Sequence, residues 1–256
     1  MNKTKKGSLV AERTLKALML FSKTKYISVT DIANSLEISL TAAYRLVDSL
    51  HGTGFIKTAH SKEYTLDSPN ILQLYNMVEY DLRKVARPII KEIASEFHES
   101  VYLSVVHNDK YFSFIEKEDS PSQLKWTENI GNVHPLPSGT AGKTHLAYII
   151  KDLNDSEKDE FISQLELKPY TEKSLVVIKD LKYSLKKILN DGYCYTNSEH
   201  LNGVIGISVP VYNFKKTTVV AVLSIFMAES RYDENELMNY VISLKNGAEK
   251  MSKYIS

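Results

Sequence analysis

The chain has 256 residues, enough for one large domain or two modest ones, and its 43% hydrophobic and 25% charged residues are typical of a soluble globular protein. The single cysteine, Cys194, excludes an intrachain disulfide framework. No apolar segment resembles a signal peptide, and the longest apolar run, residues 219–228, is too short to span a bilayer. We therefore expect a cytoplasmic protein.

Positive charge is concentrated near the N-terminus, although the whole chain carries a net charge of only +1. Residues 1–67 contain ten Lys and Arg against six Asp and Glu, whereas residues 68–256 contain 22 against 25. The first segment therefore has a net charge of +4 and the second of −3. This asymmetry modestly favours contact between the N-terminal segment and an anionic partner.

Residues 28–50 have the pattern of two short helices separated by a tight turn. Ser28 can cap the first helix, and Asp31 favours the same helix end. Ser39 can cap the second helix, in which apolar residues recur at the spacing of one buried helix face. These apolar residues are Ala43, Leu46, Val47 and Leu50. With the hairpin pattern that follows, the segment predicts a winged helix-turn-helix, which lays its second helix in the major groove of DNA.

The face of the second helix opposite that apolar stripe provides the candidate DNA contacts. Arg45 is the best candidate for a bidentate contact to guanine or for a phosphate clamp. Residues 52–58 predict a turn followed by the start of a strand, residues 63–66 predict the returning strand, and residues 59–62 between them predict the wing tip. Lys57 and Lys62 are either contacts to the DNA backbone or ordinary solvated side chains. The complete candidate DNA-binding set is Ser39, Thr41, Ala42, Tyr44, Arg45, Lys57 and Lys62.

Two further helices are predicted beside this segment. Ala11, Leu15, Leu18 and Met19 form a helical stripe that would pack behind the helix pair. Residues 68–86 have apolar residues at helical spacing and predict a long amphipathic linker helix. Pro88 either ends, kinks or restarts this helix. We therefore expect a DNA-binding domain at residues 1–67, a linker helix at 68–86 and a second domain at 87–256.

The second domain is predicted to contain both strands and helices. Strands are expected at residues 101–106, 111–115, 204–212 and 218–227, and helices at 144–150, 156–165, 181–191 and 237–251. Together these elements predict a mixed sheet with helices packed on it, so the fold class is α+β.

Residues 137–144 resemble a phosphate-binding loop, but Pro137 occupies the position where that pattern requires glycine. The preceding residues also make a poor strand, so the sequence argues against nucleotide hydrolysis. Gly139 and Gly142 instead open onto a predicted helix, whose free backbone N–H groups favour a small anion such as a carboxylate. The alternative is a helix start whose small residues pack tightly against the sheet.

Neither the histidines nor the cysteine suggests enzyme chemistry. None of the seven histidines pairs with another at metal-ligand spacing on one helix, and no base can be assigned to Cys194. We therefore expect no metal, no other cofactor and no catalytic residue. A small-molecule hydrolase or NTPase with an appended helical domain is the alternative from a different class.

Several stretches, in their order and spacing, resemble the IclR family of bacterial transcription regulators over nearly the whole chain. In the first domain these are residues 13–18, 43–46 and 54–56. In the second domain they are residues 87–90, 99–103, 135–147, 191–193 and 203–211.

The resemblance implies a winged DNA-binding domain, a linker helix and a C-terminal GAF-like effector-binding domain. It also implies homodimers, formed largely through the DNA-binding and linker regions and often paired into tetramers. Such proteins control metabolic operons in response to small organic acids or aromatic compounds, usually as repressors. Activation is the alternative, because the position of the operator relative to the promoter decides whether binding represses or activates transcription.

The resemblance also implies an effector pocket beside the residue 139–142 loop. Thr196 stands where the family has an acidic residue, and Gly206 stands where it often has a cysteine. Thr196 retains hydrogen-bonding capacity, and Gly206 is expected to leave extra room. Leu40 replaces a frequent lysine of the recognition helix, which changes the expected operator rather than DNA binding. The complete candidate effector-binding set is Leu136, Gly139, Thr140, Ala141, Gly142, Thr196, Gly206 and Ser208.

Overall fold

The computed structural model describes residues 7–77 and 80–255. The chain divides into two compact units, residues 1–80 and 81–256. No helix within the described ranges is both long and apolar enough to cross a membrane.

The described residues of the first unit form four α-helices and a small antiparallel sheet. Its helices are α1 (Leu9–Leu20), α2 (Val29–Ser35), α3 (Leu40–Gly52) and α4 (Ser68–Met77). Its strands are β1 (Ile27–Ser28), β2 (Ile56–Thr58) and β3 (Glu63–Leu66), arranged in the order β1-β3-β2. Strands β2 and β3 form the wing, and a short 3-10 turn at His60–Lys62 makes its tip.

The predicted helix-turn-helix is confirmed at α2 and α3. Ser28 and Asp31 form a capping box, in which the Ser28 hydroxyl accepts a bond from the Asp31 backbone N–H and the Asp31 carboxylate accepts one from Ser28. Ser39 caps α3 by accepting a bond from the backbone N–H of Ala42. The apolar stripe of α3 lies in the core of the unit with Ile32 of α2. The opposite face of α3 is therefore the exposed one.

Helix α1 exists, but the face predicted to be buried was wrong. Ala17 and Phe21 enter the core, whereas Leu15 and Met19 are each 63% exposed and Ala11 is also exposed. Apolar residues occur on both sides of this helix, so their spacing does not identify the inner face. Of the predicted stripe only Leu18 packs against the core.

The segment predicted as a single linker helix, residues 68–86, is divided between the two units. Helix α4 ends at Met77, and α5 runs from Tyr80 to Phe97. Residues 78 and 79, which belong to the predicted linker, lie outside the described residues. Pro88 lies inside α5 and does not end it. Leu82 and Ala86 are buried in the core of the second unit.

The second unit contains a six-stranded sheet with helices on both faces. Its strands are β4 (Ser100–His107), β5 (Tyr111–Glu118), β6 (Val133–Pro135), β7 (Cys194–Asn197), β8 (Val204–Tyr212) and β9 (Val219–Ala228). Its other helices are α6 (Gly139–Ile149), α7 (Asp155–Ser163), α8 (Ile178–Asp191) and α9 (Leu237–Ser252). The strand order is β6-β5-β4-β9-β8-β7, and every pairing is antiparallel.

Two features of this sheet differ from the prediction. A mixed sheet was predicted, but the observed sheet is antiparallel. Hairpins join β4 to β5 and β8 to β9, and a hairpin allows only antiparallel pairing. The segment judged a poor strand contains β6, which pairs with the edge of β5 through residues 133–135. Pro135 is tolerated there because an edge strand need not donate every backbone hydrogen bond.

The two faces of the sheet pack against different helices. Ile205, Ile207 and Val209 of β8 face a large apolar core shared with α5 and α9. The alternate residues of β8, Gly206 and Ser208, lie on the face covered by α6. Because side chains alternate along a strand, one sheet separates a structural core from the region around α6.

We expect Leu244→Ala to destabilise the protein by about 2–5 kcal/mol, because Leu244 of α9 is fully buried in the larger core. Met238→Ala is the matched control, since Met238 lies on the same helix and is 53% exposed. The control should change stability by no more than about 0.5 kcal/mol. Urea denaturation measures both, and equal effects would contradict this assignment of the buried face.

Candidate DNA-binding surface and ligand cavity

The exposed face of α3 holds most of the candidate DNA contacts. Tyr44 is 49% exposed, and Arg45, Thr41 and Ser39 are also exposed, whereas Ala42 is half-buried. The Arg45 guanidinium makes no hydrogen bond or ion pair within the described part of the chain. This face therefore offers an unneutralised positive charge, a phenol and small polar groups on one rigid helix.

The two wing lysines lie in different surroundings. Lys57 on β2 is exposed and has its Nζ 3.4 Å from a carboxylate oxygen of Asp67. Such an exposed ion pair is weak and leaves the lysine available to a stronger anion. Lys62 is exposed at the wing tip, where its φ of 64° turns the chain into β3.

A cavity lies in the second unit between the first turn of α6 and the sheet. It contains about 440 Å³ of empty space, including its open mouth. Four aromatic rings dominate the wall, and Trp126 packs on Phe226 with ring centroids 4.2 Å apart. The complete lining is Phe112, Phe114, Trp126, His134, Ser138, Gly139, Thr140, Ala141, Thr196, Glu199, His200, Leu201, Val204, Gly206 and Phe226. An apolar cavity with few polar groups is typical of a small-molecule site.

Five of the eight candidate effector residues line this cavity: Gly139, Thr140, Ala141, Thr196 and Gly206. The other three lie behind its wall. Leu136 is fully buried in the aromatic cluster, and Gly142 packs closely against Phe112 and Pro137. Ser208 is also fully buried.

The expected extra room at Gly206 is absent. A β-carbon at this position would lie 2.7 Å from Cγ2 of Thr140 and 3.0 Å from Oγ1 of Thr196. The Thr140 methyl group therefore fills the space that the glycine leaves. The glycine permits close packing of α6 on β8 rather than a deeper cavity.

Buried hydroxyl groups hold α6 on the sheet. Oγ of Ser208 lies 2.7 Å from Oγ1 of Thr140 and 2.7 Å from Oγ1 of Thr144, and it donates to the Thr140 carbonyl. The Thr140 hydroxyl also donates to the carbonyl of Cys194 on β7. These bonds fix the first two turns of α6, and hence the cavity wall that α6 supplies.

In the loop that resembles a phosphate-binding sequence, the lysine forms an ion pair inside the protein. Lys143 is nearly fully buried, and its Nζ lies 2.7 Å from Oε1 of Glu199. Removing either partner would leave an uncompensated buried charge, so the lysine is committed to this pair. The described residues include no group of three His, Cys, Asp or Glu side chains placed to hold a metal ion.

The sequence analysis missed the aromatic and histidine parts of the wall. Phe112 and Phe114 alternate on one face of β5, a signal that the sequence contained. Trp126, His134 and His200 come from connecting segments and the short edge strand, and only the folded topology brings them to the cavity.

Burial shifts the pKa of two histidines in the cavity wall and of Cys194, which lies outside the lining. Desolvation lowers the pKa of His134, against an opposing effect of Glu128, and desolvation together with His134 lowers the pKa of His200. Both imidazoles are therefore neutral at neutral pH. Burial raises the pKa of the Cys194 thiol, which remains protonated and is not an activated nucleophile.

Comparison with known proteins matches both units. Residues 10–60 match the IclR helix-turn-helix domain, and residues 75–253 match the family described as bacterial transcriptional regulator IclR C-terminal. The chain is 27% identical over 241 residues to the HTH-type transcriptional regulator KdgR of Escherichia coli strain K12. This alignment covers 92% of this chain and 88% of KdgR.

Solved structures share the fold. An IclR transcriptional regulator from Alicyclobacillus acidocaldarius superposes with a TM-score of 0.82 at 21% identity, covering 97% of this chain and 99% of that one. An IclR homologue from Microbacterium hydrocarbonoxydans, solved in complex with 4-hydroxybenzoate, has a TM-score of 0.80 at 18% identity. The superposition covers 95% of this chain and 97% of the Microbacterium chain.

A winged helix-turn-helix joined to a separate sheet domain is typical of a DNA-binding transcriptional regulator. Since the two matched regions span most of the sequence, the chain belongs to the IclR family of these regulators.

The buried histidine of α6, His145, is expected to make the stability of the protein depend on pH. Burial, together with the nearby imidazole of His107, lowers the pKa of His145 to about 3, and its Nε2 lies 2.9 Å from Oγ of Ser104. The unfolded chain binds a proton at this histidine below about pH 6.5, whereas the folded chain does so only below about pH 3. The contribution of His145 to the free energy of unfolding is therefore complete above about pH 6.5. At about pH 5 this contribution is smaller by about 2 kcal/mol.

We expect His145→Gln to lose this part of the pH dependence, measured by urea denaturation at about pH 8 and about pH 5. The control, His98→Asn, changes an exposed histidine and should retain the pH dependence of the parent. An unchanged pH dependence in His145→Gln would show that the folded protein tolerates a charge at this position.

Proposed function

We propose that the protein is a ligand-responsive repressor of a metabolic operon. The observation that carries DNA binding is the exposed face of α3, where Arg45 and Tyr44 project opposite the buried stripe. Arg45 would contact guanine or a phosphate, and Tyr44, Thr41 and Ser39 would bond nearby groups of the duplex. Lys57 and Lys62 would meet the DNA backbone from the wing. Such a regulator acts on chromosomal DNA in the cytoplasm.

We propose that the aromatic cavity binds the effector, a small organic acid or an aromatic compound. Flat rings along its wall favour a planar apolar ligand, and the 4-hydroxybenzoate complex of the Microbacterium relative is consistent with this class. The ligand controls DNA binding only if it binds one arrangement of the dimer more tightly than another. Activation instead of repression requires only a different operator position.

The active form is proposed to be a homodimer, with a tetramer as the larger assembly. Two recognition helices about 34–36 Å apart would read half-sites one helical turn apart on a palindrome. The exposed apolar side of α1, formed by Leu9, Leu15 and Met19, supports this proposal. The division into residues 1–67, 68–86 and 87–256 remains a functional proposal for DNA binding, linkage and effector sensing.

The DNA contact is tested with Arg45→Ala. If Arg45 reads a base, the variant should bind its operator more weakly by about 1–3 kcal/mol and discriminate less at that base pair. Lys23→Ala is the control, because Lys23 is an exposed cation of the same unit outside α3 and the wing. Binding is measured by fluorescence anisotropy at one salt concentration. Parental affinity in Arg45→Ala would contradict the assignment.

The dimer contact is tested with the double substitution Leu15→Glu and Met19→Glu. Charges on this surface should produce monomers and abolish binding to the palindrome, because two carboxylates would be buried without partners. Light scattering after size-exclusion chromatography measures the mass, and circular dichroism confirms the helices. The control is Lys16→Glu, an exposed residue of the same helix. A double variant that keeps the parental mass would exclude this face as the contact.

A further inference from the structure

The cavity has a polar end that the aromatic wall does not explain. His134 on β6 stacks on Phe112 with centroids 5.3 Å apart, and the His200 ring meets it edge-on at 6.0 Å. Nδ1 of His200 lies 2.7 Å from Oγ of Ser138, the residue that precedes α6. Two imidazoles therefore stand together beside the first turn of α6.

The hydrogen-bonding capacity of this end is only partly used. Nε2 of His134 is buried and makes no hydrogen bond among the described residues, although a Glu128 oxygen lies 3.5 Å away. Ser138 gives α6 no side-chain cap, which leaves its first backbone N–H groups without that partner. Buried polar groups normally have partners, so an unsatisfied imidazole nitrogen in a cavity wall points to a missing one.

We propose that His134 and His200 bind the carboxylate of an aromatic acid whose ring lies against the cavity's aromatic wall. This inference rests on the proposed function, since it names the residues that select the effector's acidic group. Among the described residues that line the cavity, Glu199 alone carries a charge, and Lys143 already neutralises it. An entering carboxylate therefore finds no free cation in the wall and needs a proton to accompany it.

The histidine pair can supply that positive charge. In the empty cavity burial lowers the pKa of both imidazoles, so they are neutral. A carboxylate beside them favours the protonated form and raises their pKa. The other groups that face the pair are Glu128, Tyr170, which packs on His200 at 4.3 Å, and the Glu199–Lys143 pair. The Glu128 carboxylate favours the same protonation, and each imidazole of the pair opposes a charge on the other.

Coupled proton uptake gives the site a defined pH dependence. The complex holds a proton that the empty protein releases, so affinity for the acid rises as the pH falls. The rise is at most about tenfold per pH unit for one proton. A neutral amide of the same shape takes up no proton and should bind with no such slope.

The probe is 4-hydroxybenzoate, and 4-hydroxybenzamide is its neutral counterpart. Calorimetry of the full-length protein in two buffers of different ionisation heat measures proton uptake at about pH 7. We expect uptake approaching one proton for the acid and none for the amide. The double variant His134→Gln and His200→Gln should lose about tenfold or more in affinity for the acid, together with its proton uptake, and keep its affinity for the amide.

His98→Asn is the matched control, because it removes an exposed imidazole of the same unit and leaves the cavity intact. Thermal melting and operator binding without ligand establish that each variant is folded. Acid binding without proton uptake, or full acid affinity in the double variant, would overturn the histidine assignment alone. Absence of acid binding to the parent protein would overturn the aromatic-acid assignment as well, while operator binding would remain a separate result.

Discussion

The cavity depends on one buried hydroxyl group, that of Ser208. Its bonds to Thr140 and Thr144 hold the first two turns of α6 against β8, and Gly206 lets the helix approach closely. If an apolar side chain replaced this contact, the threonine hydroxyls would lose a buried partner. The position of the helix start, and of every cavity group that it carries, therefore follows from a small polar contact beneath α6.

The arrangement also explains why a sequence close to a phosphate-binding loop serves another purpose. Pro137 and Gly142 pack directly against each other, and Lys143 is held by Glu199 instead of pointing to a ligand. The positive end of the α6 dipole remains available at the cavity, but the charge of Lys143 is buried beside Glu199. The same small residues that suggested nucleotide chemistry allow a helix to lie close to a sheet.

Sequence patterns predicted the features of the fold that depend on the spacing of residues within one helix. The capping residues Ser28 and Ser39 and the stripe of α3 identified the helix-turn-helix, because a period of 3.6 residues on one apolar face has a single packing solution. The same reasoning failed at α1, where apolar residues surround the helix. It also missed Trp126, His134 and His200, since their meeting depends on connections and an edge strand that carry no periodic signal.

The buried thiol of Cys194 has a practical consequence. It is 2% exposed, and its raised pKa keeps it in the unreactive protonated form at neutral pH. It is also the only cysteine in the sequence. A cysteine introduced on the outer side of α3 or at the wing would therefore be the sole site for a maleimide dye. Fluorescent versions for single-molecule work can thus be made without first removing the native sulfur.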